Sequence, residues 1–125
     1  MAAGKLQLTC DTEVRDILCG AIRAYAAAAY PAGGSDCAQV ARYTLDALAQ
    51  QIEAGCTGAP GRVEISRRPR AMVRAALQYH FDCLDAEAAH VSSRQRALFE
   101  ALLRGEAVTR DALAAARVAD AAGQA

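Results

Sequence analysis

"SRRPRAMVRAALQYHFDCLDAE", residues 66–87, is the stretch whose periodicity decides the fold class. At about 100° per residue, Met72, Val73, Ala76, Leu77, His80, Cys83 and Leu84 fall within one arc of roughly 140°. Arg70, Arg74, Gln78, Asp82 and Asp85 fall opposite, and Tyr79 and Phe81 lie at the edges of the apolar arc. A half-buried strand would alternate with period two, whereas this stretch keeps a helical period throughout. Ser66 stands where a cap is needed. Pro69 sits in the first turn, where its missing N–H costs nothing.

The same period recurs on both sides. A first helix is expected from about Thr12 to Ala29, capped by Thr9, Asp11 or Thr12 and ended by Tyr30-Pro31 and Gly33-Gly34. Val14, Ile17, Leu18, Ala21, Ile22 and Tyr25 share its apolar arc, with Glu13, Arg15, Asp16 and Arg23 outside. A second is expected from Asp36 to about Ala54, with Ser35 as N-cap and Gly55 after its end. Its core stripe is Ala41, Leu45, Leu48 and Ile52, and Arg42 and Asp46 stand four apart on the wet face. Val40, Tyr43 and Ala47 form a second, minor apolar stripe that either is buried too or faces a partner. A fourth helix follows Val91, with Ser92 and Gln95 at capping-box spacing. Leu98, Phe99, Leu102 and Leu103 face inward, Arg96, Glu100 and Arg104 stand at i,i+4 outside, and Gly105 closes the helix. A fifth starts at Thr109, with Val108 and Leu113 as a hydrophobic staple.

Two short stretches break this pattern. KLQLT (5–9) and RVEIS (62–66) alternate apolar and polar residues. They are open to three readings: pairing with each other, pairing across a dimer, or extended leads into helices. GCTGAPG (55–61) is the clearest internal break but too short for a domain linker. The expected fold is therefore all-α. It is a compact bundle of four to five helices with short loops, with a minor two-stranded β element as an option, in one domain over residues 1–125.

Fourteen basic and fourteen acidic residues balance, so only a local patch could attract nucleic acid or an anionic membrane. No apolar run approaches the roughly 18 residues of a membrane span, and the first residues lack a secretory h-region. A cytoplasmic protein is expected. Thirteen of the fourteen cations are Arg and 32 residues are Ala, the imprint of a GC-rich, bacterial genome, so arginine alone carries little meaning. Cys10, Cys19, Cys37, Cys56 and Cys83 show no C-x-x-C spacing and read as reduced thiols packed as small hydrophobes. Leu, Ile, Val and Phe total only 24, which implies a thin core and favours a homodimer.

Candidate chemistry is sparse. Arg67, Arg68 and Arg70 crowd the start of the third helix, the wrong end for cations given the helix dipole, and form a possible anion grip. His80 and Cys83, three apart, would need two further zinc ligands from Cys10, Cys19, Cys37, Cys56, His90 or a carboxylate, and none is paired at short spacing. No metal, cofactor or catalytic constellation is expected, and Asp82 and Asp85 read as a solubilising surface. SSRQRALFEALLRGEAVTRDALAAARVADA (92–121) resembles in outline the paired helices of a bacterial helix-turn-helix unit. Its second helix, however, sets Arg110 and Arg117 against Asp111 and Asp120 and offers no Asn or Gln. The expected function is that of a non-catalytic regulator or adaptor that binds another protein, for example as an anti-activator occupying a regulator's interface. Val40, Tyr43, Ala47, Tyr79 and Phe81 are its expected contact residues. The alternative is a DNA-binding accessory protein using the C-terminal hairpin.

Overall fold

The two alternating stretches find each other across the chain. In the computed structural model, which describes residues 5–57, 61–88 and 92–122 without the side chains of residues 5, 67, 68 and 88, β1 (Lys5–Cys10) runs antiparallel to β2 (Gly61–Ser66). Leu6 stands opposite Ile65, Leu8 opposite Val63 and Cys10 opposite Gly61, so every inward position of one strand meets an inward position of the other. Such a ribbon is marginal alone in water. Here its inner face closes one side of the helical core. The Val108 N–H donates to the Thr9 carbonyl at 3.0 Å, so the connection between the last two helices edges the same ribbon.

Among the described residues five helices complete the fold: α1 (Thr12–Ala29), α2 (Asp36–Gly55), α3 (Arg67–Ala88), α4 (Ser93–Leu103) and α5 (Arg110–Ala122). The central helix is α1, which packs against α2, α3 and α5. Its buried residues Val14, Leu18, Ala21 and Ile22 are those the periodicity selects, joined by Cys19 and Ala26. The seam with α2 is built from small groups, and the Cys19 thiol donates to the Ala49 carbonyl at 3.5 Å. On α3 the buried line is Val73, Leu77 and Phe81 at i, i+4 and i+8, with Ala76 beside it.

Helix ends are capped as much by distant groups as by neighbours. Ser35 accepts from the Ala38 amide at 3.2 Å, as its position predicts. Asp11 does more. One carboxylate oxygen accepts from the Val14 amide at 3.2 Å and starts α1, while the other accepts from the Arg110 amide at the start of α5. Ser92 does not cap α4. Its hydroxyl accepts from Arg96 Nε at 2.8 Å, and the buried carboxylate of Asp120 takes the amides of Arg94 (2.7 Å) and Gln95 (3.2 Å). The capping box expected of Ser92 and Gln95 is thus replaced by a group from the far end of α5. Gly105 ends α4 with φ +92°; its N–H donates to the Leu102 carbonyl and that of Glu106 to the Ala101 carbonyl, a Schellman closure.

Several surface charges pair between helices rather than along them. Arg96 and Glu100, expected to pair within their own helix, reach back to α3: Arg96 meets Asp82 and Asp85 at 2.9 Å, and Glu100 meets Arg74 at 3.3 Å. Arg104 pairs with Glu106 in the following turn, and Arg42 donates to the Tyr30 carbonyl at 3.4 Å rather than to Asp46. Because Asp11 serves two helix starts and Ser35 one, Asp11→Ala is expected to cost about 2 kcal/mol or more and Ser35→Ala about 1 kcal/mol or less, read as urea midpoints. Equal losses would show that the second bond of Asp11 adds nothing.

Candidate partner-binding surface

The outer face of α2 follows from the same period that buries its inner one. Leu45, Leu48, Ala49 and Ile52 are buried. Roughly half a turn away, Cys37, Val40, Tyr43, Thr44, Ala47, Gln50, Gln51 and Ala54 are exposed, within an arc of about 140°. None of the eight carries a charge. Asp36 stands on this face at its N-terminal end, in the first turn, whereas Arg42, Asp46 and Glu53 are half-buried along its border, so the face is uncharged from Cys37 to Ala54. Glu53 is held by Arg23 of α1, which also keeps its carboxyl below the usual carboxylate range. The uncharged strip runs along about 25 Å of helix.

Its apolar content is conspicuous in solvent. Tyr43 is 73% exposed and Val40 64%; among the described residues the other large hydrophobics left outside the core are Val118 of α5 and Tyr79 of α3. The Thr44 hydroxyl donates to the Val40 carbonyl at 2.9 Å, so its polar atom is occupied within the helix. Gln51 donates to the Glu64 carbonyl at 2.9 Å, tying the C-terminal part of the strip to β2. Val40, Tyr43 and Ala47 are exposed rather than buried against a neighbouring helix.

Tyr79 lies elsewhere, on α3, and is 37% exposed. Its ring is 6.1 Å from that of Tyr25, which meets Tyr30 edge-on at 6.1 Å, so three tyrosines form a row from the end of α1 to the middle of α3. The sequence pattern isolates Tyr79 but not this row, because ring contacts between helices leave no periodic trace. Phe81 is a correction. It is 2% exposed, with the Phe99 ring at 5.5 Å, the His80 ring at 5.0 Å and the Arg96 guanidinium 5.5 Å above its face. The buried arc of α3 is rotated toward Phe81 because α4 packs there, and it cannot serve as a surface contact.

The same rotation turns Cys83 outward. Expected inside, it is exposed, while His80 is half-buried at the wall of a cleft of about 420 Å³ shared with Ile17, Leu84, Arg117 and Ala121. Among the described residues no group of three or more His, Cys, Asp or Glu could hold a metal ion, and His90 lies outside them. Of the arginines proposed to grip an anion, the side chains of Arg67 and Arg68 lie outside the described ones, and Arg70 is half-buried in the first turn of α3. Asp82 and Asp85 are more than a solubilising surface. Their hydrogen bonds to Arg96 hold both carboxyls below the usual carboxylate range, and Asp85 is only 17% exposed. No helix among the described residues is long and apolar enough to cross a membrane.

No protein-family model, curated protein or solved structure matches this chain.

Two measurements follow from these placements. Tyr43→Ala is expected to shift stability by less than about 0.5 kcal/mol and Phe81→Ala to cost about 3–5 kcal/mol, read from denaturant melts. A large loss at Tyr43 would make it a core residue. Burial, with the Arg117 guanidinium adding to it, pushes the His80 imidazolium below its ordinary value. The unfolded chain then takes up that proton first, so stability falls as pH drops through about 6.5 and levels once the folded-state value is passed. His80→Gln is expected to flatten this limb, while the acid loss from Asp82, Asp85 and Glu53 remains at lower pH. An unchanged limb would remove His80 as its cause.

Proposed function

We propose that this protein is a non-catalytic regulator or adaptor that binds another protein through the outer face of α2. One observation carries the reading: beyond Asp36 at its N-terminal end, the outward face of α2 runs from Cys37 to Ala54, about 25 Å, without a charge, with Val40 and Tyr43 exposed in its first half. A helix face that met only water would gain solubility from charged residues, which this chain supplies freely elsewhere. An aromatic residue amid small and amide side chains suits a helix-in-groove or helix-on-helix contact, with Tyr43 as the anchor and Val40 and Ala47 flanking it. Tyr79, exposed beside the half-buried Tyr25 and Tyr30, is a secondary contact in this proposal. The concrete form is an anti-activator that covers a regulator's own interface. The protein acts as a homodimer in this reading, which light scattering measures directly.

A DNA-binding accessory role through α4 and α5 is the competing proposal. It is disfavoured by charge: Arg96, Arg104, Arg110 and Arg117 each have a carboxylate within ion-pair distance, so the hairpin offers phosphates few uncompensated cations.

The test is an affinity capture from bacterial lysate with the wild-type and Tyr43→Glu proteins, each with and without nuclease, read by mass spectrometry. One protein enriched in both wild-type arms and lost with Tyr43→Glu is the expected result. A prey lost on nuclease treatment, with affinity falling steeply between about 50 and 200 mM salt, would replace it with the DNA-binding role.

A further inference from the structure

The five cysteines divide into two kinds. Cys37 and Cys83 are exposed, whereas Cys10, Cys19 and Cys56 are buried. Cys10 is the last residue of β1 and Cys56 caps the C-terminus of α2; both are 0% exposed, and their sulfurs are 3.7 Å apart. The contact is built by the backbone around it. Cys10 is paired across the ladder with Gly61, and a side chain at position 61 would place its Cβ 2.4 Å from the Cys56 Cα. Glycine therefore lets the end of α2 come down onto the ribbon beside Cys10. Cys19, by contrast, gives its S–H to the Ala49 carbonyl.

We propose that Cys10 and Cys56 are a redox-active pair that closes to an intramolecular disulfide when a small peroxide reaches it. A sulfur–sulfur bond is about 2.05 Å long, so closure needs a displacement of roughly 1.7 Å, within reach of side-chain rotation and a small shift of the helix end. The sulfurs are not equivalent. Cys10 donates its S–H to Cys56, and Arg15 donates to the Cys56 carbonyl at 3.2 Å, which places a guanidinium beside Cys56. Burial raises both thiols, and Cys10 and Arg15 draw Cys56 back down. Cys56 is thus the sulfur that attacks the peroxide and is oxidised first. Its thiolate takes one peroxide oxygen, the O–O bond breaks, and hydroxide leaves and is protonated to water. The Cys10 sulfur then attacks the Cys56 sulfenic sulfur; the S–S bond forms, the S–O bond breaks, and a second water leaves with the Cys10 proton. Two thiols lose two electrons and the peroxide gains them. Access comes at the helix end, where Cys56 follows the last turn of α2 and Thr57 is exposed.

The pair is tested in a Cys37→Ser/Cys83→Ser protein, which removes the exposed thiols, treated with hydrogen peroxide. The expected product is a monomer lighter by two hydrogens, with peptides containing residues 10 and 56 linked, reverting with dithiothreitol. Its Tm is expected to rise by about 5 °C or more, because the bridge closes a 46-residue separation. Adding Cys19→Ser should preserve the link, and adding Cys10→Ala should abolish it. The proposal is overturned if the folded protein keeps its mass, gains oxygen separately at Cys10 or Cys56, or links either through Cys19. A link without a rise in Tm would overturn its closure in the native arrangement. None of these outcomes bears on the α2 face, which the double variant leaves intact except at Cys37.

Discussion

The pairing of residues 5–10 with residues 61–66 is the constraint on which the remaining arrangement depends. It joins two segments separated by the whole of α1 and α2, so both helices must fold back on one another before the ribbon can form. Once formed, it fixes three starting points. Asp11 follows β1 directly and begins α1, α3 begins directly after β2, and the Val108 amide on the Thr9 carbonyl sets where α5 begins. The second bond of Asp11, to the Arg110 amide, ties that last point down with charge as well as backbone. A six-residue ribbon thereby positions three helices although it contributes only part of the buried surface.

Much of this was legible in the chain. Helices were readable because their apolar periods are long and their stops are chemically explicit: Pro31, Gly55 and Gly105 each end an element where the structure ends it or within a residue or two. The alternation in KLQLT and RVEIS marked both strands. What it could not supply was their partner, since an isolated period-two stretch is compatible with any edge. The departures at Phe81 and Cys83 share one source. A single-helix projection treats each helix as facing one core, but α3 contacts α1 on one side and α4 on another, which brings Phe81 inside and leaves Cys83 outside. The same holds for charge. Arg96 and Glu100 stand at i,i+4 along their own helix, yet the carboxylate and guanidinium they meet lie across the α3–α4 seam.

The candidate surface was legible in part for the same reason. Val40, Tyr43 and Ala47 are separated from the core stripe by angle alone, so the pattern singled them out, but whether a neighbouring helix covered them was a tertiary fact. The tyrosine row and the Cys10–Cys56 contact had no sequence signal at all. The Tyr25–Tyr79 and Cys10–Cys56 contacts each join residues dozens of positions apart through backbone placement, one at the α1–α3 crossing and the other where α2 meets the ribbon.

The Asp120 carboxylate under the start of α4 has a consequence for how the chain reaches this state during synthesis. The amides of Arg94 and Gln95 receive their acceptor only after some 25 further residues have been made. Until then α4 lacks the cap that its own neighbours do not provide, and an 11-residue helix without one is marginal in water. At roughly 5–20 residues per second, α4 waits on the ribosome for seconds at most, but it waits for α5. The two helices therefore gain their order together and late, onto a platform of β1, α1, α2, β2 and α3 whose residues have already emerged.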